Sequence, residues 1–282
     1  MTTAVNAITA ALAAVITAPG TAAAQPTAQT AEPAPPLWEL GIAGLAVSQQ
    51  AYPGSDQRLG RALVLPYAMY RGRVLRADRE TAGLRALRTE RFELDLGVAA
   101  SFGGGSDEIE ARQGMRRLGT LLEAGPRLKW RLGADPARSP WRLELPLRGV
   151  FDLSDGARHR GLAFEPELVF ERSTAGGWRY KTAASAILAD RRLAAHFYRV
   201  DAAEATATRP AYDARGGLLA WRASLSAGRS LSPDWRVVGF ARLDTVHGAA
   251  NEDSPLVRRQ SGSTVGIGLF WTGLRSQAPA WD

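Results

Sequence analysis

The chain has 282 residues, 45% of them hydrophobic and 22% charged, which is too apolar for general disorder and long enough for one large closed sheet. Its mean hydropathy is −0.16, and no stretch of about 18 apolar residues occurs past the first few dozen positions; this excludes a helical membrane bundle but not a membrane barrel, whose alternating strands average to near neutrality. Cysteine is absent, which removes disulfide frameworks and thiolate chemistry, and the net charge of +7 is spread along the chain without the clustering that nucleic-acid binding needs.

The first element is a signal peptide over 1–24. Residues 7–18 form an apolar run, Pro19-Gly20 breaks it, and Ala22-Ala23-Ala24 supplies small residues for cleavage, although no Lys or Arg precedes the run. Residues 25–36, rich in Pro, Ala and Thr, read as a flexible periplasmic lead-in.

From there the chain alternates, and successive strand residues face opposite sides. In 91–102, Phe92, Leu94, Leu96, Val98, Ala100 and Phe102 oppose Glu93, Asp95 and Ser101. In 118–132, Leu118, Leu122, Leu128 and Trp130 oppose Glu123, Arg127, Lys129 and Arg131. In 141–153, Trp141, Leu143, Leu145, Leu147, Phe151 and Leu153 oppose Arg142, Glu144, Arg148 and Asp152. In 162–171, Leu162, Phe164, Leu168 and Phe170 oppose Glu165, Glu167 and Glu171; in 178–188, Trp178, Tyr180 and Leu188 oppose Arg179 and Lys181. In 219–228, Leu219, Trp221 and Leu225 oppose Arg222; in 235–245, Trp235, Val237 and Leu243 oppose Arg236, Arg242 and Asp244. The last segment, 264–272, sets Val265, Ile267, Leu269 and Trp271 against glycines.

Runs of this length suit a tilted membrane crossing of ~9–11 residues better than a soluble strand of ~5–6. Aromatic residues at their ends fit interfacial girdles. The expected fold is all-β: a closed antiparallel transmembrane β-barrel over 37–272 with a C-terminal tail at 273–282. Strands are placed near 37–48, 61–71, 73–78, 89–102, 118–132, 141–153, 160–171, 178–189, 194–200, 216–229, 235–246 and 262–272. That makes twelve, or ten should 73–78 and 194–200 not form strands. Long connections after odd strands and short ones after even strands put the N-terminus in the periplasm. One connection breaks the pattern: 103–117 is long yet falls on the periplasmic side. It carries Asp107, Glu108 and Glu110, then Arg112, Met115, Arg116 and Arg117, and is the candidate loop for docking a partner protein.

The chain from Trp38 to about Thr272 resembles the MltA-interacting protein family (MipA/OmpV) of Gram-negative outer membranes. The resemblance rests on Trp38-Glu39-Leu40-Gly41-Ile42-Ala43-Gly44, Tyr52-Pro53-Gly54-Ser55 and Leu65-Pro66-Tyr67-Ala68-Met69-Tyr70-Arg71-Gly72. It continues through Gly114-Met115-Arg116-Arg117-Leu118, Leu122-Glu123-Ala124-Gly125-Pro126, Tyr212 to Gly217 and Ser254-Pro255-Leu256-Val257. Such barrels tend to end on an aromatic residue of the last strand, whereas this chain continues past Trp271 to Asp282. The resemblance implies a non-enzymatic outer-membrane barrel that is a scaffold for a murein lytic transglycosylase and a penicillin-binding murein synthase, with porin-like passage of small solutes or antibiotics as the alternative. It implies no catalytic residues and no cofactor.

The residues themselves point the same way. His159, His196 and His247 are far apart in sequence, and no Ser–His pair stands out as a nucleophile and base. The inner face is expected to carry Glu123, Arg127, Lys129, Arg142, Glu144, Arg148, Glu165, Glu167, Arg179, Lys181, Arg222, Arg242 and Asp244. Cross-strand pairing among them would fill a narrow barrel, with Glu165 and Glu167 meeting arginines such as Arg148 or Arg179. Apart from Lys129 and Lys181 every basic residue is Arg, which suits outer-membrane lipid headgroups and lipopolysaccharide phosphates as partners and leaves nucleic acid out.

Overall fold

The computed structural model describes residues 35–72, 75–77, 82–101, 109–136 and 138–280. The expected signal peptide, most of the expected lead-in and the loop residues Asp107 and Glu108 lie outside the described residues. The strands are β1 (Trp38–Gln50), β2 (Arg58–Arg71), β3 (Leu75–Ala77), β4 (Ala82–Arg88), β5 (Phe92–Ser101), β6 (Leu121–Arg131), β7 (Trp141–Asp152), β8 (Arg158–Phe164), β9 (Glu167–Ser173), β10 (Trp178–Ala189), β11 (Gly217–Ser230), β12 (Trp235–Thr245) and β13 (Ser261–Arg275). A helix, α1 (Arg191–Tyr198), follows β10.

All neighbours pair antiparallel, and β13 pairs with β1 while β10 pairs with β11, so the sheet closes on itself. Closure removes unpaired edges, the requirement for backbone in lipid. β8 and β9 pair with the same two neighbours at successive heights, β8 with Leu147 to Asp152 of β7 and β9 with Trp141 to Glu144. They are two halves of one crossing, interrupted where Pro166 has no N–H to give the ladder. Thirteen segments therefore make the expected twelve crossings.

One of the twelve expected strands is not a strand, and one crossing lies where a loop was expected. The strand expected at 194–200 is α1: Arg191 to Tyr198 holds no β-branched residue, and the Asp190 carboxylate accepts a hydrogen bond from the Leu193 N–H at 2.8 Å as its N-cap. The missing crossing is β4, expected as loop. Its leucines, Leu84 and Leu87, are three apart because a bulge between Arg85 and Leu87 absorbs one residue and hides the period of two. Inserting β4 reverses the parity of the connection after β5. The 109–120 stretch therefore lies at the end opposite the described termini, with 51–57, 190–216 and 246–260, and the single long connection at the terminal end disappears.

The other correction concerns the tail. β13 runs to Arg275, and 276–280 pair back onto 35–37: Leu37 N–H donates to Ala278 O at 2.8 Å and Ala280 N–H to Pro35 O at 2.7 Å.

Side-chain placement follows the alternation. Val64 is 77% exposed on the outer face and Asp95 is 0% exposed on the inner one. Exposed apolar residues around buried charges invert the order of a soluble protein, and only lipid suits that outer surface. Near the terminal end Phe92 stacks on Trp130 and Trp141 packs on Phe170, with exposed Trp235 and Trp271 at the same level, as in an interfacial girdle. At the loop end Tyr52, Ile109, Met115, Leu118, Leu193, Tyr198, Val200 and Leu256 form a buried cluster.

Gly161, at φ 130°, is where α1 comes down on β8: a Cβ there would meet Asp190 Oδ1 at 2.2 Å and Leu193 N at 2.6 Å. Gly161→Val is expected to lift α1 off the wall, with strain of about 1–3 kcal/mol. Limited proteolysis of the refolded variant should cut faster within 190–216 while the barrel keeps its heat-dependent mobility.

Candidate functional site

The inner wall has two arcs. From β5 to β12 it is charged and cross-linked. Asp95 accepts from Arg127 through Nε at 3.0 Å and Nη2 at 2.8 Å, and Lys129 Nζ lies 3.1 Å from its Oδ2 and 2.9 Å from Glu93. Arg127 reaches Glu144 at 3.5 Å, and Arg142 joins Glu144 (2.6 Å) to Glu171 (2.7 Å). Arg179 stands 3.8 Å from Glu171 and Lys181 3.7 Å from Glu167. Arg148 links Glu123 (3.0 Å) to Glu165 (3.5 Å), and Arg222 links Glu165 (3.0 Å) to Asp244 (2.7 Å), which also receives Arg242 at 3.4 Å. The structure thus brings all thirteen expected inner charges into one belt. Desolvated charges are tolerated only when paired and hydrogen-bonded, and each carboxylate of the belt has at least one cationic partner.

From β12 through β13 and β1 to β2 the middle of the same face is apolar, with the Arg71–Glu39 ion pair (2.9 Å) at its terminal end. Alternation did not reveal this arc because both faces of β1 and β2 carry aliphatic residues. Leu45, Leu65 and Phe240 point inward and remain 37%, 43% and 41% exposed. Phe240 lies over Gly266 and Leu45 over Gly268, positions where a Cβ would strike those side chains. Tyr67 packs edge-on to Phe270 and shares a hydrogen bond with Thr272, while Arg236 lies 4.7 Å over the Phe270 ring.

The loop end is a second candidate. Tyr198 donates from its hydroxyl to Pro53 O (2.9 Å) and Tyr52 to Leu256 O (2.7 Å). Burial pushes the Tyr52 hydroxyl up to about 12 and raises Tyr198 further. Arg112 donates to Phe197 O (2.8 Å) and Arg116 O (3.2 Å), and Arg209 donates to Ala111 O (3.1 Å) and Gln113 O (3.0 Å). These bonds tie the 109–117 loop to α1 through Arg112 and to the segment that follows α1 through Arg209. Of the proposed docking residues, Arg112 and Met115 are therefore buried in the cap, while Glu110, Arg116 and Arg117 are exposed.

Between this loop, the start of β8 and α1 lies a cavity of about 240 Å³ lined by Arg112, Arg116, Arg117, Arg158, Arg160, Arg192 and Arg199, with His159, His196, Asp201 and Glu204. Sequence reading missed it because its arginines come from three distant segments. His196 is held neutral there: burial, then the charges of Arg160 and Arg112, lower its pKa from 6.5 to about 4. Among the described residues no group of three His, Asp or Glu side chains is placed to hold a metal ion.

A closed antiparallel barrel with an apolar outer face and a charged inner one defines the class, an outer-membrane-type β-barrel. The MltA-interacting protein MipA family model matches residues 41–273, and the chain belongs to that family. No curated protein matches it. Similar solved structures include the NanC porin, 10% identical with a TM-score of 0.37 over 82% of this chain and 98% of that one. An outer-membrane channel from Pseudomonas putida F1 is 9% identical with a TM-score of 0.37 over 89% of this chain and 100% of that one. The toluene transporter TbuX of Ralstonia pickettii is 7% identical with a TM-score of 0.27 over 86% of this chain and 70% of that one.

Two outcomes are expected. Asp95→Asn leaves Arg127 and Lys129 without their shared carboxylate and should cost about 3–5 kcal/mol in denaturant unfolding, with part recovered when Arg127→Gln is added. For His196 the folded pKa lies below the ordinary value, so the unfolded cap binds more protons, and the stability given by the neutral ring is present above pH 6.5 and lost as pH falls towards about 4. Proteolysis within 190–216 should accelerate over that window in the wild type, and His196→Gln should flatten the dependence.

Proposed function

We propose that this chain sits in the outer membrane of a Gram-negative bacterium with its N-terminus in the periplasm, and that it anchors murein-remodelling enzymes there. The observation that carries this reading is the contrast between the two ends. The loop end is packed over the mouth by Ile109, Tyr198 and Leu256, all fully or nearly fully buried. The terminal end presents short turns at 89–91, 132–140, 174–177 and 231–234. Longer loops face outward in such barrels, so the short-turn end meets the periplasm. The family's name supports a lytic transglycosylase as the partner, with a penicillin-binding murein synthase as the second member of the complex. Outer-membrane lipid and lipopolysaccharide surround the apolar belt.

The docking face in this reading is the terminal end, not the 103–117 loop. Asp135 and Arg138, 60% and 90% exposed, mark its longest turn. Asp135→Lys with Arg138→Glu should weaken binding of a purified murein lytic transglycosylase to the refolded barrel at least tenfold (about 1.4 kcal/mol). Arg116→Ser at the other end should not. Undiminished affinity in the turn variant would refute this docking face.

The second reading, porin-like passage of small solutes or antibiotics, is favoured by the inward exposure of Leu45, Leu65 and Phe240, which marks open space inside the wall. Planar-bilayer recordings separate the two. The anchor reading expects no unitary steps; the channel reading expects steps whose ion selectivity shifts in Arg148→Gln.

A further inference from the structure

We propose that the arginine-lined cavity at the loop end is a binding site for a phosphate-bearing ligand. This goes beyond the anchoring reading, and only its lipid source rests on the orientation proposed there. Seven guanidinium groups line the cavity against two carboxylates. Some of that charge is already matched: Arg160 bonds Asp152 at 2.6 Å and Asp155 at 2.8 Å, Arg158 stands 3.6 Å from Asp155, and Arg199 bonds Asp201 at 2.6 Å. Arg112, Arg116 and Arg192 have no ion pair among the described residues. Arg112 spends two nitrogens on main-chain carbonyls, which accept hydrogen bonds but cancel no charge. Arg192 meets only the His159 ring, at 3.3 Å.

Two buried atoms of the lining lack any hydrogen-bond partner: Arg112 Nε and His196 Nε2. Buried polar atoms are nearly always satisfied, so two unpartnered atoms from two walls of one cavity, the 109–117 loop and α1, point to a group that fills it. Like charges gathered from three segments repel one another and oppose the folding of the cap unless a counter-anion occupies the space between them. A monocarboxylate offers two oxygens in one plane. A phosphate or diphosphate offers several oxygens around a tetrahedral centre, which suits guanidinium groups converging from the 112–117 loop, β8 and α1. A compact cavity on one side of the mouth does not track an extended polymer backbone. The same chemistry is carried by a free phosphorylated solute and by the phosphorylated headgroup of an outer-leaflet lipid.

The test uses the full barrel refolded in detergent. Pyrophosphate is titrated calorimetrically, and separately lipid A and its dephosphorylated form are presented in mixed micelles. Arg116→Ser with Arg192→Ser removes two exposed, ion-pair-free arginines, and Arg138→Ser at the opposite end controls for overall charge; heat-dependent mobility confirms that each variant is folded. The expected result is saturable binding of pyrophosphate, or of lipid A but not its dephosphorylated form, weakened at least about tenfold in the double variant and unchanged in Arg138→Ser. Pyrophosphate binding assigns a soluble ligand, and lipid A binding alone assigns the headgroup. Binding by neither, equal loss in Arg138→Ser, or full retention in the double variant would overturn the proposal.

Discussion

The Asp95 carboxylate lies at the centre of what holds the inner wall together. It is wholly buried, and Arg127 and Lys129, two residues apart on the next strand, both converge on it. A lone carboxylate at that depth would be too costly to keep ionised, and two lone cations equally so. Their pairing is possible only because β5 and β6 are in the register that sets Asp95 opposite Arg127. From that pair one network passes strand to strand through Glu144, Arg142 and Glu171, and beside it a second runs from Glu123 through Arg148, Glu165 and Arg222 to Asp244. A slip of one residue between any two strands would turn a charge into lipid and an aliphatic side chain into the belt. The ion pairs therefore set register more than they add stability, which a buried pair often fails to do.

The apolar arc follows from the same geometry. β13 and β1 bring small residues to the inner face, with Gly266, Gly268 and Ala43 where β6 and β7 have Arg127, Lys129, Glu144 and Arg148. Without long charged side chains to cross the lumen on that side, Phe240 and Leu45 lie flat over the glycines and Leu65 stands beside them. The interior is thus asymmetric: one side braced and polar, the other greasy and open.

What depends on a period of two was legible in the sequence. From β5 through β7 and from β10 through β12, charges and aliphatic residues separate by parity, and there the strands and the inner charges could be read directly. Reading failed where another rule overrode that period. In β4 a bulge displaces Leu87 by one position, so a strand looked like a loop. In α1 the residues alternate by accident, and local helix preference with an Asp190 cap decides the outcome. The two errors cancelled in the strand count yet not in the topology, because the strand lost and the strand gained lie on either side of the 103–117 connection. A count can therefore be right while the assignment of a loop to an end of the barrel is inverted. The arginine cavity was out of reach for a different reason: nothing in a linear pattern says that Arg112, Arg160 and Arg192 meet.

With the 109–117 stretch at the end opposite the termini, the two ends acquire different physical characters. The terminal end is made of short turns and closed by the pairing of 35–37 with 276–280, so little of it can rearrange. The loop end is built by tertiary contacts between segments that are each too short to fold alone. Tyr52 and Tyr198 have their hydroxyls bonded to main-chain oxygens far along the sequence, and Arg112 and Arg209 do the same from the opposite direction. Such a cap is cooperative, because losing one tie exposes the aromatic cluster beneath the others. It is also where unpaired positive charge is concentrated. A counter-anion would screen the arginines and add hydrogen bonds between the 109–117 loop and α1 at once. By linkage, any ligand that binds only the assembled cap stabilises it, so the stability of the mouth should respond to the anions around it far more than the belt-braced wall below.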